Sequence, residues 1–220
     1  MHVLALVTQK GGSGKSTLAI SLAVAAMADG ARVALIEADP QGTILRWKER
    51  RDNPHPRVER VTDPSEIEPL MANIEAEGFD LVVIDTAATN NALAMRAIVQ
   101  ADLCLIPARP TPADIEAAIP TLMAIRRLNR RFAFVLNQTQ PRGGRLSEAA
   151  TSLHSLGRLA LPYIGQRNDH QDALGVGLGV TEFARAGKAA EEIRALWTWV
   201  SQQLAGESLD HEQAPLKAAS

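Results

Sequence analysis

The chain has 220 residues, 23 Lys and Arg against 25 Asp and Glu, and a formal net charge of −2. This length gives room for one α/β domain with a full core. The near-balance of charge excludes a global attraction to nucleic acid, so any DNA contact needs a local basic patch. Apolar residues make up 46% and aromatics only 4%, so the core must be Val, Leu, Ile and Ala, the mix of a parallel sheet covered by helices. A single cysteine, Cys104, has no partner for an internal disulfide, which suits a reducing cytoplasm. No apolar run approaches the roughly 18 residues of a membrane span. Met1 leads straight into the first apolar run, so neither a signal peptide nor an N-terminal DNA-binding extension is expected.

Residues 3–7 are short, apolar and β-prone, and residues 18–28 are rich in Ala and Leu and read as a helix. Between them lies Gln9-Lys10-Gly11-Gly12-Ser13-Gly14-Lys15-Ser16-Thr17. Strand, glycine loop and helix form the context of a phosphate-binding loop. The glycines let backbone N–H groups turn inward, and the helix aims its positive end at the same point. Lys15 would reach the β- and γ-phosphates, and the Ser16 hydroxyl would ligate Mg²⁺. The usual first glycine is replaced by Gln9, and a second lysine, Lys10, precedes the glycine pair. The cradle does not need Lys10, which is therefore free to point toward the phosphates of another subunit.

The run 10–17 resembles the deviant Walker A box of the ParA/MinD ATPases, and the resemblance extends through all but about the last fifteen residues. After a C-cap signal at Asp29-Gly30, residues 32–38 read as a buried strand ending in Asp39-Pro40-Gln41-Gly42. In open α/β sheets ligands sit at that edge. The resemblance names this turn Walker A′ and implies that Asp39 positions the attacking water or the Mg²⁺ shell; an ordinary turn or helix-capping aspartate is the alternative. A helix over 43–51, a short strand over 58–61 and a helix over 64–77 follow. Residues 79–85 end an apolar run in Asp85, the form of a Walker B strand that delivers a carboxylate to the metal. Where the family often has Pro after Asp-Thr, this chain has Ala87-Ala88.

Asn90-Asn91 open a helix to Gln100, and residues 102–107 form the next strand. The proline-spaced loop from Ala108 to Asp114 either flanks the nucleotide and dimer interface, as the resemblance implies, or is a stiff connector. A helix over 112–129 is expected to bury Ile115, Ile119, Leu122, Met123 and Ile125. Arg126, Arg127, Arg130 and Arg131 flank its end, where the helix dipole favours cations; a DNA patch is the alternative. Residues 132–138 read as a strand, after which the resemblance makes Asn137 a candidate for reading the adenine edge, with a turn residue as the alternative. A basic loop over 140–145, a helix over 146–156 and a last short strand over 158–164 come next. Gly175-Val176-Gly177-Leu178-Gly179 matches a dinucleotide-binding glycine pattern only loosely and is read as a loop, since no helix with the right preceding strand opens there. Residues 183–204 close the domain, with Ile193, Leu196, Trp197, Val200 and Leu204 on one helical face.

The resemblance implies a single-domain P-loop NTPase over residues 1–205, with a mostly parallel twisted sheet flanked by helices on both faces. Residues 206–220 are polar, lack an apolar stripe, and are expected to be a disordered tail. The implied function is an ATP-dependent dimerisation switch with ATP and Mg²⁺ as cofactors. Lys10, Lys15 and Asp39 would be its catalytic residues, residues Gly11 to Thr17 its phosphate cradle, and Ser16, Asp39 and Asp85 its metal set. The homodimer would bind nonspecific DNA through Arg167, Arg185, Lys188 and Arg194. It would answer to a stimulating adaptor of the ParB type and work in the cytoplasm at the nucleoid. Residues 206–220 offer no amphipathic helix for membrane attachment, and one cysteine per chain cannot hold the cluster of a nitrogenase-type iron protein. A small ATP-dependent synthetase of the dethiobiotin-synthetase type is the competing reading.

Overall fold

In the computed structural model, which describes residues 1–89, 91–140 and 145–206, six strands form one parallel sheet in the order β3-β2-β4-β1-β5-β6. They are β1 (His2–Leu6), β2 (Val33–Ala38), β3 (Arg57–Arg60), β4 (Leu81–Thr86), β5 (Leu103–Ala108) and β6 (Phe132–Leu136). β2, β4 and β5 are buried along their whole length, as expected of strands covered on both faces. The helices are α1 (Lys15–Ala28), α2 (Thr43–Glu49), α3 (Ile67–Ala76), α4 (Ala92–Gln100), α5 (Pro112–Arg127), α6 (Arg145–Leu156), α7 (Asn168–Gly175), α8 (Val180–Phe183) and α9 (Lys188–Leu204). A 3₁₀ turn over Pro64–Glu66, capped reciprocally by Asp63 and Glu66, leads into α3.

Alternation along the strands sorts the core into two layers. Leu4, Leu6, Leu35 and Val83 face α1 and α9; Val3, Ala5, Ile36, Val82 and Ile84 face the other layer, with Ile67, Ile98 and Leu122. α1 is buried on nearly every side, from Leu18 to Ala26, which its run of Ala and Leu permits. On α9 the residues Ile193, Leu196, Trp197, Val200 and Leu204 are all buried, as their spacing predicts. Trp197 also donates its indole N–H to Asp29 at 2.6 Å, tying α9 to the end of α1. No helix among the described residues is long and apolar enough to cross a membrane. Cys104 is fully buried, and that burial pushes its thiol up to about 12.

Two expectations are corrected. Ile119 and Met123 are 37% and 61% exposed; the inward face of α5 is instead Asp114, Ala118, Thr121, Leu122 and Ile125. Small and polar residues occupy that stripe, so counting only bulky apolar residues rotated the helix. Residues 158–164 make only isolated bridges, Leu159 to Phe134 and, just beyond, Gly165 to Thr139, because Pro162 has no N–H to give a ladder. The proposed tail from 206 and the basic loop at 141–144 lie, but for Gly206, outside the described residues.

The 175–179 loop packs onto the end of α2. Gly177 adopts φ 72°, and a Cβ there would sit 2.4 Å from the Arg50 backbone. Arg51, with its side chain 1% exposed, donates to the carbonyls of His55 and Gly177 and to both carboxylate oxygens of Glu182 at 2.7 and 2.8 Å. Burial raises the Glu182 pKa, but the Arg51 guanidinium and the Gly179 N–H together hold it below the usual carboxylate range. A depressed carboxyl pKa contributes stability above its unfolded value and loses it as pH falls through the folded one. Replacing Glu182 by Gln strands a buried guanidinium and should cost about 3 kcal/mol at pH 7 by chemical denaturation. The gap between wild type and E182Q should narrow as pH falls below the ordinary glutamate range; a gap independent of pH would contradict it.

Candidate functional site

The site lies at the carboxyl edge of β1, β2 and β4. Register places Glu37 of β2 and Leu6 of β1 on either side of Asp85 of β4. All three continue the stripe that faces α1, so the apolar row turns acidic where α1 begins. Lys15, the first residue of α1, is 6% exposed. Burial lowers its pKa, opposed by the nearby Asp85 and Asp39 carboxylates. Asp85 is fully buried, and neither of its carboxylate oxygens has a hydrogen-bond partner with full geometry among the described residues. That burial drives its carboxyl up to about 7; the neighbouring Ser16 hydroxyl and Lys15 ammonium pull it down, and Glu37 and Asp39 push it up.

Glu37 is a site residue that the sequence reading passed over. It is fully buried, accepts the Ile44 N–H at 2.6 Å through Oε2, and leaves Oε1 unpaired. Burial raises its pKa despite the hydrogen bonds from the start of α2. Its apolar neighbours in sequence made it look like an ordinary strand position; an acid two residues before the turn aspartate was the available signal. Asp39 itself is half-buried and caps its own turn, accepting the Gln41 N–H at 2.9 Å, while Gly42 turns the chain at φ 66° into α2.

The loop over 9–14 wraps the start of α1. Gly12 and Gly14 take φ 72° and 91°, which L side chains rarely adopt. A Cβ at Gly11 or Gly12 would meet nothing within 4 Å, so that side of the loop opens onto free space; at Gly14 it would lie 2.3 Å from Asn137 Nδ2. Gly14 supplies no side-chain cap, which leaves first-turn N–H groups of α1 available to an anion. Asn137, 5% exposed at the end of β6, donates to the Ser13 carbonyl at 2.7 Å and accepts from the Gln138 N–H. Gln138 donates to the Gly12 carbonyl at 2.8 Å. The Nδ2 end of the Asn137 amide thus braces the loop, while its Oδ1 end is taken by the N–H of the next residue.

A cleft of about 240 Å³ continues from the loop, lined by Thr17, Gln138, Arg167 and His170 among others. Arg167 lines this cleft and pairs at 2.5 Å with Glu192 of α9, the helix that also carries Lys188 and Arg194. Arg185, Lys188 and Arg194 are exposed, and Arg194 donates to the Arg185 carbonyl, which gathers two of them. Lys10 is half-exposed, and its charge helps hold the Asp114 carboxyl down together with Arg109 and Thr111. The proline-spaced loop is pinned by that same cluster: Thr111 caps α5 and Arg109 pairs with Asp114 at 2.9 Å.

Comparison with known proteins agrees with this geometry. Residues 1–160 match the family model described as VirC1 protein. The chain is 33% identical over 210 residues to maintenance of carboxysome distribution protein A of Gloeobacter kilaueensis, covering 92% of this chain and 94% of that one. It is 35% identical over 126 residues to protein virC1 of Rhizobium radiobacter, about half of each chain. Among solved structures it resembles the cell division ATPase MinD of Pyrococcus furiosus, with TM-score 0.76, 17% identity, and coverage of 92% of this chain and 99% of that one. That likeness carries the fold, and the sequence matches carry the kinship: the chain belongs to the VirC1 protein family, among the ParA/MinD-type ATPases that its phosphate loop resembles.

Proposed function

We propose that this chain is an ATP-dependent dimerisation switch that binds nonspecific DNA and hydrolyses ATP slowly to position a cargo. The observation that carries the reading is the fully buried, unpartnered Asp85 carboxylate beside Lys15 at the mouth of a glycine loop. Unpaired buried carboxylate oxygens are costly, and a hydrated cation with a polyphosphate would satisfy them and the ammonium together. Ser16, Asp39 and Asp85 would hold Mg²⁺, which when bound would neutralise charge on the transferring phosphoryl group.

The chain's own residues would do the rest. The amides from Gly11 to Thr17 cradle the phosphates, and Lys15 balances their charge from within the subunit. Asn137 and Gln138 keep the loop in shape from behind. Asp39, at the turn that faces the loop, orients the attacking water; it is the one candidate base, which fits slow turnover stimulated by an adaptor. Lys10 would reach across a twofold interface to the other subunit's phosphates, so that triphosphate binding clamps the pair. Two copies of the Arg185, Lys188 and Arg194 patch would then act as one bivalent surface for duplex DNA. The carboxysome-distribution relative and the Asp39-Pro40-Gln41-Gly42 turn favour this over a small-carboxylate synthetase.

Replacing Lys10 by Ala should abolish the ATP-dependent shift from monomer to dimer in light scattering and cut phosphate release by about tenfold or more. ADP binding to K10A should stay within about threefold, because the cradle keeps Lys15; an intact ATP dimer in K10A would reject the trans-acting role. In D85N the tightening of ATP binding by Mg²⁺ should fall by about tenfold while metal-free nucleotide binding persists. Duplex DNA should be retarded by the protein with ATP and much less with ADP, with affinity falling steeply as salt rises; equal affinity with both nucleotides would count against a switch.

A further inference from the structure

At the opposite edge of the sheet, where β5 and β6 begin, three helices end close together. α5 stops at Arg127, α6 at Leu156 and α9 at Leu204. Arg126, Arg127, Arg130, Arg131 and Arg158 gather there. The helix ends account for part of this charge: Arg126 donates to the Leu156 carbonyl and Arg131 to the Gln203 carbonyl, both at 2.6 Å. Each helix end supplies only about half a negative charge, so three of them do not offset five guanidiniums. None of these arginines takes part in an ion pair among the described residues.

Between them lies a cleft of about 370 Å³, lined by Arg130, Arg131, Phe132, Arg158 and Gln203. Gln203 is 2% exposed. Its Oε1 accepts from Arg158, which fixes the orientation of the amide, and its Nε2 donor has no partner among the described residues. A buried N–H donor without an acceptor is unusual in a folded protein. It stands here among guanidinium groups, which are themselves donors only. The same two hydrogen bonds to Gln203 set the positions of Arg131 and Arg158 before any ligand arrives. Among the described residues, what the cleft lacks is an acceptor with several oxygens and negative charge.

We propose that this cleft is a binding site for a small phosphate-bearing anion, held by Arg130, Arg131, Arg158 and the Gln203 amide. Tetrahedral phosphate offers enough acceptors for several guanidiniums and an amide at once. The donors converge on a concave pocket rather than running along a surface, which suits a discrete anion over the continuous backbone of a duplex. The site is separate from the phosphate loop, and its existence does not depend on the function proposed above.

The test uses the full chain, with K15A introduced throughout so that the phosphate loop does not answer to added phosphate, and follows the unfolding midpoint against inorganic phosphate. With the cleft intact it should show a saturable rise, since a ligand bound by the folded state stabilises it. Q203E has nearly the same shape but presents an acceptor where the orphan donor stood, and it pairs with Arg158. It should keep or raise the ligand-free midpoint and lose the phosphate-dependent rise. The exposed R158Q and R131Q substitutions should each weaken phosphate binding by about tenfold, which keeps the test open if Q203E misfolds. The same rise with the cleft intact, in Q203E and in R158Q would mean general stabilisation by an excluded salt and would overturn the site. So would a duplex DNA affinity that depends on Arg131 and Arg158 in a protein showing no phosphate-dependent rise.

Discussion

The desolvated charge at the carboxyl edge of the central strands is the constraint around which this molecule is arranged. Lys15, Glu37 and Asp85 are all buried, the two acids facing each other across adjacent strands and the lysine beside them on the first helix. Removing such groups from water is expensive, and here the carboxylates are driven up and the ammonium down by burial. Each charged form is therefore held in reserve, and each becomes favourable again when counter-charge enters. A nucleotide site built this way is stable without ligand only because the surrounding layers are tightly packed and apolar.

That packing explains the unusual composition. With few aromatic residues, the two core layers rely on Leu, Ile, Val and Ala from every strand. Small residues let α1 lie close to the sheet, which brings its first turn directly over the row of Glu37 and Asp85. Two of the three tryptophans fill the core and also tie elements together: Trp47 donates to the Leu178 carbonyl and Trp197 to Asp29. The loop is held from a strand more than a hundred residues away, since Asn137 and Gln138 bond its carbonyls. The two ends of the sheet carry opposite requirements. One end gathers buried acids around a lysine; the other collects guanidiniums around helix termini and a buried amide.

The sequence by itself determined the first strand, the glycine loop and the helix after it, and the parallel covered sheet. These signals are local: periodicity, glycine spacing and an acid ending an apolar run each follow from a few neighbouring residues. It also identified Asp39 and Asp85 as strand-end acids, and the structure brings both beside Lys15. Tertiary structure alone decided which apolar residues of α5 face inward, because that depends on how closely Ala118 lets the helix approach. It alone paired Glu37 with Asp85 through strand register, turned Asn137 into a brace for the loop, and committed Arg167 to Glu192. It alone converted arginines that looked like helix-end charges into the rim of a cleft, since Gln203 comes from a helix some seventy residues further along the chain. Local chemistry fixes what a segment can be, while long-range register fixes which groups share a space, and charge has meaning only there.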